Sequence, residues 1–425
     1  MLSKKFPFKS SYKKKLFHAA RSFSNVTWLD SHSSKEQYGT EDLLVGLGKK
    51  SELKVDAGQA FEALTDYLQD QKWAFGYFSY DLKNELNTSF SSKNKDGLAF
   101  PDLYFFEPEL IVRIQGKEVE LMSENASLLD RFSKDLNGEE LTDKPQVKST
   151  KPVIGSRLSK SEYLEKVRLI KQRIKKGDIY ELNFCHEFFA EDVTLDAFSL
   201  YEELVAHSPT PFSSFLKTGD RYVLCASPER FLKKSGSTVL TQPIKGTIKR
   251  GATVQEDEQL KKQLFQDPKE RSENVMIVDL VRNDLSRIAQ DGSVKVDELF
   301  GIYTFSQVHQ MISTVSCQVD SKLSSVDIIQ QCFPMGSMTG APKMKAIELI
   351  EQYEETKRSV FSGSIGYFKP NGDFDFNVVI RSLFYNTQKA YLSFSVGGAI
   401  TDQSIPEKEY EETLLKAQSL LAILS

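Results

Sequence analysis

In the stretch RYVLCASPERFLKKSGSTVLTQPIKG, Arg221 to Gly246, strand-like runs rich in β-branched and aromatic residues follow one another with no helix between them. Similar runs stand upstream in VTWLDS (Val26 to Ser31), WAFGYFSYDL, LYFFEPELIVRI and EVELMS, and the first of these reads as an edge strand. Before Arg221, Tyr163, Val167, Ile170 and Ile174 recur at helical spacing behind a Ser cap, and Gly177 closes that helix ahead of a strand at Ile179 to Phe188. No β-α-β rhythm is sustained, so the chain reads as an α+β protein built on large antiparallel sheets.

From about Asp130 to Ser156 the sequence is charged, broken by Pro and Gly and without apolar period, which predicts a linker. The expected organisation is a β-rich N-terminal subdomain, residues 1–145, and a catalytic domain, residues 157–425. Fifty-five basic against 59 acidic residues give a formal charge of −4, which argues against a nucleic-acid or membrane-surface partner. No 18-residue apolar run offers a membrane span. The basic start lacks an apolar core, which excludes a secretory signal. The four cysteines are scattered singly in apolar runs; they fit a reducing, cytoplasmic setting and are assigned no chemistry.

Several residue groups could carry chemistry, each beside a plainer reading. Lys245, before Gly246, is either a solvated charge or a reactive amine beside a close backbone approach. QDPKERSENVMIVDLVRNDLSRIA predicts a helix capped by Asp267, apolar nearly all round from Val275 to Val281 and therefore buried. Its neighbours Glu270 and Glu273 either complement the helix dipole or bind a ligand. In SIPEKEYEETLLKAQSLLAIL, Tyr410, Leu414, Ala417, Leu421 and Leu424 form the expected core stripe, with Glu409 and Glu412 off it. That second pair is either a solvated face or, with the first, an oxygen set for a hard divalent cation such as Mg²⁺. CFPMGSMTGAPKMKAIELI does not match a P-loop, but its amides and the Thr339 hydroxyl could hold a carboxylate at a helix N-terminus. Arg381 is a strand-face ion pair or a fork for a carboxylate, and Gly397-Gly398 permits close backbone approach.

In order along the chain, ASPERF, QPIKGTIKRG, KERSENVMIVDLVRNDL, FPMGSMTGAPKMKAIELI, SGSIGYF, VVIRSL and SVGGAITDQSIPEKEYEETLLKA resemble the chorismate-utilising enzymes: anthranilate, aminodeoxychorismate, isochorismate and salicylate synthases. The resemblance runs from about Ser159 to the C-terminus, with weaker echoes in WAFGYFSYDLKNELN. It implies two large stacked antiparallel β-sheets flanked by helices, with the active site in a cleft between them. It also implies that Glu273 and Glu412 bind Mg²⁺ directly, Glu270 and Glu409 bind it through water, and the ion grips the ring carboxylate of chorismate. Tyr367, Arg381 and the Gly398 amide fall where the family binds the enolpyruvyl carboxylate, and Thr247 and Thr339 are lesser pocket candidates. His309 falls at a family active-site histidine, although a lone His in an apolar strand is also a common core residue. The loop departs from the family's F-P-G-G-S at Met335.

Glu181 stands where isochorismate and salicylate synthases carry a water-activating lysine, so the resemblance points away from water addition. Pro243-Ile244-Lys245-Gly246-Thr247 is similar to the aminodeoxychorismate branch, where anthranilate synthases usually have alanine in place of the lysine. The implied reaction has Lys245 attack ring carbon 2 while Glu229 protonates the departing carbon-4 hydroxyl, after which ammonia enters at carbon 4. Such a lysine must be neutral, so its pKa is expected well below about 10.4. With no glutaminase signature in the chain, ammonia is expected from a separate glutamine amidotransferase subunit, as a heterodimer. The alternatives are anthranilate synthase component I and a non-catalytic binding protein on the same fold. VTWLDS falls near a strand where relatives bind tryptophan.

Overall fold

A computed structural model describes residues 1–34, 37–39, 41–87, 90–138 and 150–425. Among them, 12 strands form one sheet and 10 form another, and every pairing between named strands is antiparallel. The Arg221 stretch contributes to both. Arg221–Ser227 lies inside the larger sheet, while Arg230–Ser235, Thr238–Gln242 and Ile244–Lys249 lie in the smaller.

The larger sheet is apolar on both faces, and strand alternation divides its side chains between two cores. Leu216, Val223 and Cys225 point to the core shared with Leu232, Val239, Val315 and Phe376 of the smaller sheet. Phe215, Leu224 and Ala226 point the other way, against helices Ser11–Ala20, Ala197–His207 and Pro406–Leu424. Two stacked antiparallel sheets flanked by helices are thus the observed architecture. All four cysteines are buried, and burial pushes the Cys317 thiol up to about 11. Among the described residues no helix is long and apolar enough to cross a membrane.

The N-terminal strands enter both sheets. Asn25–Asp30 pairs with Phe212–Thr218, and Ala74–Phe78 pairs with Ser364–Phe368. Asn25–Asp30 is therefore an interior strand, with Leu43–Leu47 on its other side, and not the edge strand its short run suggested. Its alternation is masked because it is buried on both faces, Val26 and Trp28 on one and Thr27 on the other. The predicted linker also differs. Ala126–Asn137 is a helix capped by Asn125, whose Oδ1 accepts from the Leu128 amide. Leu129, Phe132 and Leu136 bury one stripe of it among charged neighbours that hid the period. Residues 139–149 of that segment lie outside the described residues.

Phe215 joins the first helix to the sheet: its ring stands 4.5 Å from Phe198, 5.3 Å from Tyr201 and 5.4 Å from Phe17, fully buried. Phe215→Ala should cost about 3–5 kcal/mol, read as a fall in the midpoint of denaturant unfolding; a loss under 1 kcal/mol would contradict this account of the outer core.

Candidate active site

The two sheets bring their margins together at one place. Ile244–Lys249 is an edge strand of the smaller sheet, and Glu181–Ala190 lies near the edge of the larger, between Tyr391–Ile400 and the short Gly340–Ala341 strand. Gly246 has φ +91°, a left-handed conformation that favours glycine, and sits in a register shift between Ile244 and Thr247. A Cβ there would stand 3.1 Å from Glu270 Oε2. This bulge turns Lys245 inward to donate to Glu181 Oε1 at 2.8 Å, the side chains being 13% and 3% exposed.

Glu229 follows the strand Arg221–Ser227 and is 5% exposed. Burial pushes its carboxyl up to about 7, opposed by the Ser337 hydroxyl, Lys245, the Ile244 amide and Arg381. Lys245 departs from expectation. Burial favours its neutral amine, but Glu181, Glu273 and Glu229 together outweigh burial and hold it above the ordinary lysine value. It therefore rests as an ammonium. Arg381 has φ +52°, a strained conformation for a residue with a side chain, and its charge acts on Glu229.

Helix Pro268–Ser286 packs on the Lys245 strand, and helix Pro406–Leu424 packs on Tyr391–Ile400. Asp267 caps the first, accepting from the Lys269 and Glu270 amides. That helix buries one face, through Ile277, Val278 and Val281, while Val275 is 47% exposed; its partner is a sheet on one side only. In the second helix the buried stripe runs Glu409, Thr413, Ala417, Leu420, Leu424, so Glu409 lies on it and Leu414 off it. Gly398 lies beside this helix face: a Cβ there would be in ordinary contact with Lys416 Nζ at 3.6 Å, Glu409 Oε2 at 3.7 Å and Glu412 Oε1 at 3.8 Å.

The four acids of these helices feel one another. Burial, then repulsion, raises Glu270; burial also raises Glu273 and Glu409. For Glu412 the opposing pull of Lys416, at 2.8 Å, outweighs burial and lowers it. Lys269 stands 3.7 Å from Glu273. Among the described residues no three acid, His or Cys side chains stand at metal-binding separation. The carboxylates nonetheless form an all-oxygen set whose repulsion a small cation would relieve.

Other predicted residues have different surroundings. His309 is fully buried, with Nδ1 3.0 Å from Thr304 Oγ1 and Nε2 2.8 Å from Asp257 Oδ1, which also pairs with Arg250. Tyr367 packs at 5.9 Å from Trp73 and 6.0 Å from Phe75 in the inter-sheet core. Thr247 is exposed, 3.4 Å from the Gln310 amide. Thr339 is buried and its hydroxyl bonds the Met335 and Gly336 carbonyls, so it closes its own loop. Lys343 anchors that loop from below, donating to Asp284 at 2.6 Å and to the Pro334 carbonyl at 2.8 Å. Sequence reasoning missed Ser337 and treated Glu181 only as a missing lysine; the i,i+2 alternation that buries Leu182 and Phe184 gave no sign of Glu181's partner.

Folding raises the Glu229 carboxyl from 4.5 to about 7, so its stabilising contribution is full below pH 4.5 and lost as pH rises through 7. Between pH 5 and 8 the wild type should lose up to about 3 kcal/mol relative to Glu229→Gln, measured by denaturant unfolding; parallel pH curves would refute the burial argument. Arg381→Gly should unfold at no lower temperature than wild type, because it releases a strained φ; a fall of several degrees would show that the guanidinium is a structural anchor.

Residues 24–422 match the family of chorismate binding enzymes. The chain is 34% identical over 366 residues to the aminodeoxychorismate synthase component 1 of Bacillus subtilis, covering 82% of this chain and 76% of that one. It is 36% identical over 413 residues to the chloroplastic aminodeoxychorismate synthase of Arabidopsis thaliana, covering 92% of this chain and 44% of that longer protein. The fold superposes on anthranilate synthase component I of Streptococcus pneumoniae with a TM-score of 0.79 at 23% identity, covering 93% and 96% of the two chains. The menaquinone-specific isochorismate synthase of Escherichia coli gives 0.78 at 17%, covering 100% and 94%. With an inward lysine, a buried acid and four helix carboxylates around one cleft, this chain belongs to the chorismate binding enzyme family.

Proposed function

We propose that this chain is the chorismate-aminating component of an aminodeoxychorismate synthase, acting in 4-aminobenzoate and folate biosynthesis. The observation behind this reading is Lys245, turned into the cleft with Glu229 close enough for each charge to act on the other. The relatives named aminodeoxychorismate synthase component 1 in Bacillus subtilis and Escherichia coli support it. Their component naming supports a partner component, which in this reading is a separate glutamine amidotransferase subunit that supplies ammonia, the two forming a cytoplasmic heterodimer.

Lys245 is the nucleophile at ring carbon 2. Glu229, protonated near neutrality by its burial, gives its proton to the carbon-4 hydroxyl, which leaves as water. Ammonia then enters at carbon 4 and expels the lysine. Arg381, whose charge acts on Glu229, offers a fork for a substrate carboxylate. Glu273 and Glu412, backed by Glu270 and Glu409, would hold Mg²⁺, which when bound supplies charge neutralisation for the ring carboxylate.

The test is incubation with chorismate, ammonium and Mg²⁺, with products identified by mass. The expected product is 4-amino-4-deoxychorismate, converted to 4-aminobenzoate only on adding a lyase; 2-aminobenzoate would make the protein an anthranilate synthase, and chorismate binding without turnover a binding protein. Lys245→Ala should lower the rate at least about 10²-fold, and an unchanged rate and product would remove the nucleophile. Glu273→Ala and Glu412→Ala should each raise the Mg²⁺ concentration for half-activation more than about tenfold; normal activation in both would sink the ligand assignment.

A further inference from the structure

The cleft as folded poses a problem that the proposed chemistry leaves open. An ammonium has no lone pair, and Lys245 is held as an ammonium by the carboxylates around it. Something must take its proton. Glu229 is the wrong group, because burial raises it to about 7 and its proton is required at the carbon-4 hydroxyl. Glu273 faces Lys245 from the Pro268–Ser286 helix and Glu412 from the Pro406–Leu424 helix, but both act on it only through space and belong to the cation set. Lys245 makes one hydrogen bond among the described residues, to Glu181 Oε1 at 2.8 Å.

We propose that Glu181 is the residue that receives the Lys245 proton and returns it at the end of the cycle. Three observations carry this. The distance is that of a direct proton transfer, with no intervening water needed. The Glu181 side chain is 3% exposed, and its second oxygen, Oε2, is buried with no hydrogen-bonding partner among the described residues, so the bond to Lys245 is the side-chain contact that fixes this carboxylate. Glu181 is also rigidly placed: its carbonyl is approached so closely by Gly340 that a Cβ there would stand 2.1 Å away, and its strand is paired on both sides.

The balance is complete, and it rests on the lysine reading above. A proton moves from Lys245 Nζ to Glu181 Oε1, leaving a neutral amine and a neutral carboxyl. The nitrogen lone pair forms the bond to ring carbon 2, the ring double bonds shift, and the carbon-4 oxygen leaves as water with the Glu229 proton. Ammonia forms the bond at carbon 4, the double bonds shift back, and Lys245 departs as a neutral amine with the electron pair of its bond. The new product ammonium gives a proton to Glu229, and Glu181 returns its own to Lys245.

Steady-state kinetics with ammonium as nitrogen source test this on Glu181→Gln, which keeps shape and loses the proton-accepting charge. The expected result is a fall of about 10²- to 10⁴-fold in kcat with the KM for chorismate within about threefold. Glu181→Asp, which retains an acid on a shorter arm, should recover at least about tenfold of that loss. Combined with Lys245→Ala, Glu181→Gln should cost nothing further, because both act on one step. Losses that multiply, a kcat unchanged or raised in Glu181→Gln, or an Asp variant no better than Gln would each overturn the assignment. If instead Lys245→Ala alone leaves the rate intact, it is the lysine reading that fails.

Discussion

A sheet that must be covered on both faces constrains everything else in this molecule. The larger sheet sends Leu216, Val223 and Cys225 to one core and Phe215, Leu224 and Ala226 to another. One side therefore needs a second sheet and the other needs helices. The strands of the first third, Asn25–Asp30 in one sheet and Ala74–Phe78 in the other, extend both layers. Where the layers meet at their margins, neither can fill the gap with apolar side chains from both sides, and the polar cleft lies there.

Charge in that cleft is arranged by burial as much as by pairing. Burial raises Glu229 to about 7, the acids around Lys245 outweigh its burial and hold it above the ordinary lysine value, and burial raises Glu270, Glu273 and Glu409 while Lys416 lowers Glu412. One amine thus sits near a buried acid raised to about 7 and is bonded to a second, buried carboxylate, a combination of perturbed groups that marks a functional site. Strain at Arg381 and the bulge at Gly246 place the groups; neither would persist without the packed sheets around them.

Much of this was legible beforehand because it is local. Asp267 and Ser159 cap the helices their spacing announced, and the Arg221 stretch folds as successive strands. The stripe of the last helix was misread by one position, since Leu414 and Leu421 outweighed Glu409 in apolarity although Glu409 sits on the buried side. The Ala126–Asn137 helix was hidden because three buried residues among charges give a weak period. Thr339 looked available to a ligand, yet its hydroxyl satisfies the carbonyls of its own turn.

By itself, then, the chain's sequence determined which segments are strands or helices, and which side chains could act as nucleophile, acid, cation ligand or carboxylate fork. Only the tertiary structure decided that Lys245 meets Glu181 across 64 residues of sequence, that burial raises Glu229 to about 7, and that His309 is held by Asp257 and Thr304. The reason is physical: spacing reports periodicity along a chain, whereas a pKa and a proton-transfer partner depend on desolvation and on charges that arrive from other elements.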